Sequence, residues 1–185
     1  MTRQQTLKFT IRQDGRVTEE VMGATSNECV ELTRQIDNKL GELETRQFKP
    51  EFYSNNVALQ YNQDQVRNKP QLQEALEILQ YDVKEDQELK VTGSHGIGHE
   101  TVEAELAIST DIGFRMNPMT GEYELVADLE TWNQPIPVER FMDKVNQQYA
   151  RMTVHNTVKE MGFQVEEEWE MEDNSIELTV TRWVQ

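Results

Sequence analysis

Val102-Glu103-Ala104-Glu105-Leu106-Ala107-Ile108, then Asp111-Ile112-Gly113-Phe114-Arg115 and Glu122-Tyr123-Glu124-Leu125-Val126-Ala127-Asp128, form the stretch that decides the fold. Val102, Ala104, Leu106 and Ile108 recur at every second position, with Glu103 and Glu105 between them, which is the period of a strand buried on one face. Asn117-Pro118-Met119-Thr120-Gly121 has the composition of a turn. The segments on either side of it therefore read as a strand and its antiparallel return.

The same logic extends towards the N-terminus. Leu7, Phe9 and Ile11 alternate with Lys8 and Thr10, Asp14-Gly15 signals a hairpin, and residues 16–22 supply the return strand. Thr25-Ser26-Asn27-Glu28 fits a capping box, after which Cys29, Leu32, Ile36 and Leu40 follow at helical spacing up to Gly41. Residues 43–48 add an extended segment. The Asn- and Gln-rich stretch 54–68 marks a boundary, with Val57, Ala58, Leu59 and Tyr61 as the first strand of the next module.

Towards the C-terminus, Pro70 opens a helix with Leu72, Ala75, Leu76 and Leu79 on its apolar stripe. Short strands are expected at 81–83 and 89–91, and a Gly-rich loop at 92–100. A long helix over 138–161 turns Phe141, Val145, Tyr149, Met152 and Val158 inward and ends at Gly162. Residues 163–171 and 176–184 make a last hairpin around Asp173-Asn174. The expected class is α+β: a small ββα module over 1–55, and a larger module over 56–185. The larger one is an antiparallel sheet with helices mainly on one face, a ferredoxin-like outline being one form of it. The small module is too short for much core of its own, so it should dock on the larger one or extend its sheet.

Composition narrows the function. Only 36% of the 185 residues are hydrophobic, which favours a sheet packed on one face and wet on the other. The 18 basic and 34 acidic residues give a net charge of −16, which repels phosphate backbones and anionic membranes. Direct nucleic-acid and membrane binding are therefore not expected. Cys29 is the single cysteine, so no internal disulfide or four-thiolate metal site can form. Met1-Thr2-Arg3-Gln4-Gln5 runs straight into a strand-like segment, as expected of a cytoplasmic chain.

Candidate chemistry is sparse. His95 and His99 stand four apart, but Gly96 and Gly98 between them disfavour the helix that would bring both to one metal. Neither a metal nor a cofactor is expected. The Gly-rich loop lacks the Gly-Lys-Ser/Thr of a phosphate cradle. Cys29 falls on an apolar stripe and His155 inside a helix, and nothing makes them a nucleophile and base. Asp111 and Asp128 flank the strand–turn–strand and read as strand-end caps or as an acid/base or metal-binding pair. Glu166-Glu167-Glu168-Trp169-Glu170-Met171-Glu172-Asp173 is the densest acidic run. Strand alternation puts Glu166, Glu168 and Glu170 on one face and Glu167, Trp169 and Met171 on the other. The run reads as a wet edge that blunts aggregation or as a docking strip for a basic protein. Asp111, Phe114, Tyr123, Asp128 and Trp132 gather aromatic and acidic groups around one turn. They are candidate binding residues, with cross-strand core packing of Phe114 and Tyr123 as the alternative.

The chain carries two resemblances. From about Leu59 onward it resembles the Ycf thirty-five-like family of cyanobacteria and algal plastids. The residues that carry this are Asp111 to Arg115, Tyr123 to Asp128, Gln148-Tyr149-Ala150, Met161 to Glu167 and Thr181-Arg182-Trp183-Val184. Residues 7–53 resemble a small family that accompanies the first, through Phe9 to Val17, Cys29 to Thr33 and Pro50-Glu51-Phe52-Tyr53. Leu129-Glu130-Thr131 before Trp132, and the histidines of the 92–100 loop, depart from the family pattern. The resemblance implies a photosynthetic, related bacterial or phage setting, no established catalytic residue, and an accessory role near AAA-type ATPases or ferredoxin-related systems. The expected function is a non-enzymatic adaptor or assembly factor acting through a protein partner. The alternatives are a metal-dependent or acid/base enzyme using Asp111 and Asp128, and an acidic mimic of nucleic acid.

Overall fold

The computed structural model describes residues 2–22, 31–32, 34, 36, 38–39, 42–48, 57–62, 66–92, 99–129 and 131–185. The chain divides into two units: residues 1–64 together with 149–185, and residues 65–148.

The first unit is built on a six-stranded antiparallel sheet. Its strands are β1 (Arg3–Ile11), β2 (Val17–Met22), β3 (Glu42–Phe48), β4 (Val57–Asn62), β9 (Gln164–Glu170) and β10 (Ile176–Val184), in the order β3-β4-β2-β1-β10-β9. β1 pairs with β10 along its whole length, from Arg3 opposite Val184 to Ile11 opposite Ile176. The two chain ends are thus one ladder, and the alternation in each strand agrees. Leu7, Phe9 and Ile11 share a buried face with Ile176, Leu178 and Val180. Val17 and Val21 of β2 continue it, and Leu32 and Ile36, in helical backbone, cover it. So do Ala150, Val154 and Val158 from the C-terminal half of helix α2 (Val138–Glu160). Gly162, at φ 78°, lets the chain leave that helix: Phe163 N donates to Val158 O at 2.9 Å and Gly162 N to Lys159 O at 3.1 Å, satisfying its last carbonyls.

The second unit holds a four-stranded antiparallel sheet: β5 (Lys84–Thr92), β6 (His99–Ala107), β7 (Ile112–Asn117) and β8 (Glu122–Ala127), in chain order. Helix α1 (Lys69–Ile78) begins where expected. Asn68 Oδ1 accepts from Gln71 N at 3.1 Å, and Pro70 sits in the first turn, where its missing N–H costs nothing. Leu72, Ala75 and Leu76 are buried.

An α+β chain of antiparallel sheets and helices is what the periodicities predict. Three local expectations change. β4 does not open the larger module; it pairs with β2 and β3, because its apolar residues find their ladder in the sheet already begun. Residues 81–83 are not a strand, and β5 runs from Lys84 to Thr92 as a longer hairpin arm against β6. Contacts also divide the chain differently from a cut between 55 and 56, since the β1–β10 ladder joins the first 64 residues to the last 37. Cys29, Leu40, Gly41 and His95 lie outside the described residues, and His99 is the first residue of β6.

Candidate functional site

The five residues around the β7–β8 turn divide by burial. Phe114 is fully enclosed and stacks on Phe141 of α2, with ring centroids 6.3 Å apart. Phe141 also meets Tyr81 edge-on at 5.4 Å and Trp132 at 5.5 Å, so four aromatic rings form one packed knot. Tyr123 is 8% exposed and pairs across the ladder with Met116, while Phe114 pairs with Leu125. Burial raises the Tyr123 and Tyr81 phenol pKa above the ordinary value. Asp128 is 5% exposed, and its N–H donates to Asp111 O at 3.3 Å just beyond the last β7–β8 pair. Asp111 is half-buried: its Oδ1 accepts from Ser109 Oγ at 2.6 Å and its Oδ2 from Thr131 Oγ1 at 3.2 Å. Trp132 is half-buried and donates Nε1–H to Ile136 O at 2.8 Å.

Phe114, Tyr123 and Asp128 are buried, and Phe114 and Tyr123 pack as cross-strand core residues. Only Asp111 and Trp132 keep part of their surface, and both make bonds that shape the loop. Asp111 behaves as a strand-end cap. No group of three or more His, Cys, Asp or Glu among the described residues is arranged to hold a metal ion.

The acidic run lies on β9, a sheet edge. Six of the seven residues of β9 are exposed or nearly so, Trp169 among them. Opposite β10, Glu168 and Glu170 fall on the side of Leu178 and Ile176, and Glu167 and Trp169 on the side of Thr179 and Glu177. Glu168 reaches helix α2: it pairs with Arg151 Nε and, at 2.9 Å, with His155 Nε2. His155 is thus a hydrogen-bond partner of Glu168 on the half-buried side of the helix. Alternation alone would place Glu166 beside Glu168, but the ladder shifts register here and skips Glu166. Its Oε1 instead accepts from Thr181 Oγ1 at 2.8 Å and Gln4 Nε2 at 3.4 Å on the opposite side. That side, away from the apolar core, also carries Trp183, which faces Gln4 across β1–β10. Trp169 is 61% exposed and Trp183 69%.

Arg182 accounts for another of the resemblance segments. It lies over the Phe163 ring at 4.6 Å, donates Nε–H to Gln5 Oε1 at 2.8 Å and Nη1–H to Met161 O at 2.8 Å. It thereby ties β1, β10 and the end of α2 together, and burial lowers its pKa. No helix among the described residues is long and apolar enough to cross a membrane.

These features define an acidic α+β protein of antiparallel sheets, with a tightly packed aromatic interior and an open, carboxylate-rich sheet edge. The chain belongs to the family described as "Protein of unknown function (DUF1257)", whose model matches residues 75–179, more than half of its length. A second, described as "Protein of unknown function (DUF2997)", matches residues 7–53. The chain is 42% identical over 72 residues to "Uncharacterized protein ycf35" of Pyropia yezoensis, covering 39% of this chain and 55% of that protein. Proteins of the same name from Guillardia theta and Cyanophora paradoxa are each 42% identical over 73 residues, 40% of this chain and 56% of theirs. The chain thus spans about half the length of the curated relatives it matches. No solved structure matches it. The two resemblances read from the sequence are therefore both found, the Ycf thirty-five-like one in the C-terminal region and its small companion at the N-terminus.

Proposed function

We propose that this protein is a non-enzymatic adaptor or assembly factor that acts by contact with a basic protein partner, in a cyanobacterial, plastid or phage-related setting. The observation that carries this is the exposure of Trp169 and Trp183 on one face of a sheet in a chain of net charge −16. Covering the open part of each indole is worth about 2–3 kcal/mol at the usual value per unit of apolar area. An acidic field steers a basic surface towards it. The AAA-type ATPases and ferredoxin-related systems implied by the resemblance are the first partners to try.

The test is affinity capture from a cyanobacterial lysate with the wild-type chain and with Trp169→Ala, Trp183→Ala. A defined protein should be retained by the wild type, released by salt, and lost with the double variant while the fold persists. Retention undiminished by the double substitution would remove the tryptophans from the contact.

A further inference from the structure

We infer that β9 is the docking edge of this adaptor, and that its occupant is a Lys- and Arg-rich segment adding in extended form as a seventh strand to the sheet. The inference rests on the adaptor reading and gives the contact a place and a chemistry.

The backbone bonds leave this edge open. On the four-stranded sheet, Tyr123 N of β8 donates to Val66 O at 2.7 Å, and Lys90 N of β5 to Thr110 O at 2.9 Å, so both edge strands make bonds beyond their ladder. Among the described residues, β9 makes its backbone bonds only to β10. Its side chains are uncovered as well, with Gln164, Val165, Glu166, Glu167 and Glu170 exposed and Trp169 open over most of its indole. An open strand edge presents N–H and C=O groups at alternate residues, and an extended peptide can satisfy them.

The side chains choose the occupant. The register shift bends the edge around Glu166, so the regular part is Glu167 to Glu170, opposite Thr179 to Ile176. On one side of that run stand Glu167 and Trp169, on the other Glu168 and Glu170. Glu168 is already held by Arg151 and His155, and Glu167 and Glu170 are exposed. A strand laid alongside would bring its own side chains within about 5 Å of these on both faces. Lysine or arginine there meets carboxylate on either face, and beside Trp169 it gains a cation–π contact. A second copy of this chain offering its own β9 would set carboxylate against carboxylate. The same charges that refuse self-pairing therefore select a basic strand.

The test uses the full chain and three labelled nine-residue peptides: alternating Lys and Val, the same with two Val replaced by Pro, and alternating Glu and Val. Binding is read by fluorescence anisotropy at low and moderate salt, and backbone contact by amide hydrogen exchange across residues 164–170. The uninterrupted basic peptide should bind, should slow exchange in that segment, and should lose at least tenfold in affinity with Glu167→Gln, Glu170→Gln. The Pro-interrupted peptide has the same charge but lacks two of the strand N–H groups, and should bind at least tenfold more weakly. The acidic peptide should not bind. Equal binding of both basic peptides, or binding without added protection in β9, overturns strand addition while leaving a basic partner for the adaptor. If neither basic peptide binds but capture from lysate survives in the Glu167→Gln, Glu170→Gln chain, the β9 edge is excluded and the adaptor reading stands. If both binding and capture are absent, the adaptor reading itself fails.

Discussion

Replacing Gly113 by alanine should destabilise the 65–148 unit by about 2–3 kcal/mol, in the upper range for overpacking a close-packed site. A Cβ at this position would lie 2.6 Å from Leu106 O, 3.0 Å from Ala104 Cβ and 3.0 Å from Leu89 Cδ1. The two carbons could give way by a few tenths of an ångström. The carbonyl cannot: it belongs to β6, where Leu106 pairs with Phe114 and Ala107 with Gly113. Relief means prising β7 from β6 at the pair that carries Phe114 into the aromatic knot. The assay can be made specific to this unit, since of the three tryptophans only Trp132 belongs to it. In a Trp169→Phe, Trp183→Phe background, Trp132 emission during urea unfolding reports the packing on Phe141. Gly113→Ala should lower the midpoint with an unchanged slope and reduce the Tm of this unit by roughly 10–20 °C. A loss below about 0.5 kcal/mol, the range of a neutral surface change, would refute the close approach of β6 and β7.

Two further outcomes are expected. Asp173 Oδ1 accepts from Ser175 Oγ at 2.6 Å and Ser175 N at 3.0 Å, and these bonds hold its pKa below the ordinary 3.8. The turn's contribution is therefore present above the ordinary carboxylate range and lost as pH falls through the lowered folded value. An NMR titration of the Asp173 carboxyl should show the low midpoint, with Ser175→Ala returning it upward; an ordinary midpoint in the unmodified chain would count against the turn. Residues 1–64 expressed alone should show no slowly exchanging backbone amides but acquire them when mixed with 65–185; protection in the isolated fragment would show that it supplies its own core.

What was legible in the sequence is what is encoded locally. Leu7, Phe9 and Ile11 announce a half-buried strand, Pro70 a helix start, Gly162 a helix end, and Asp173-Asn174 a hairpin, because each depends on neighbours within a few positions. Pairing between distant strands has no such signature. Nothing in Val57 to Tyr61 says that β2 is its partner, and nothing in Ile176 to Val180 names β1. The skipped residue at Glu166 is equally silent, since a bulge depends on both strands of a ladder. Aromatic residues near a turn suit a core and a surface alike. Thus Phe114 and Tyr123 turned out enclosed, Trp132 half-buried over Phe141, and the open indoles were Trp169 and Trp183. Glu19 escaped notice altogether: it is fully buried between Val17 and Val21 on the inward side of β2, where alternation alone asks for an apolar residue.

The β1–β10 ladder also explains how so polar a chain keeps a core. The main buried cluster of the first unit draws Leu7, Phe9, Ile11, Val17, Val21, Leu32 and Ile36 from the segment matched by the smaller family. It draws Ala150, Val154, Val158, Phe163, Ile176, Leu178 and Val180 from the C-terminal segment, most of it matched by the larger family. Either half alone would leave one side of its strands in water, so less apolar burial would stand against the ordering of its backbone. Without β1, β10 would be a nine-residue open edge flanked by Ile176, Leu178 and Val180, the kind of edge that aggregates. Placing both segments in one chain makes their pairing intramolecular and covers that edge as the sheet forms. β9 is then the strand left at that end of the sheet, and its carboxylates disfavour pairing with an identical edge.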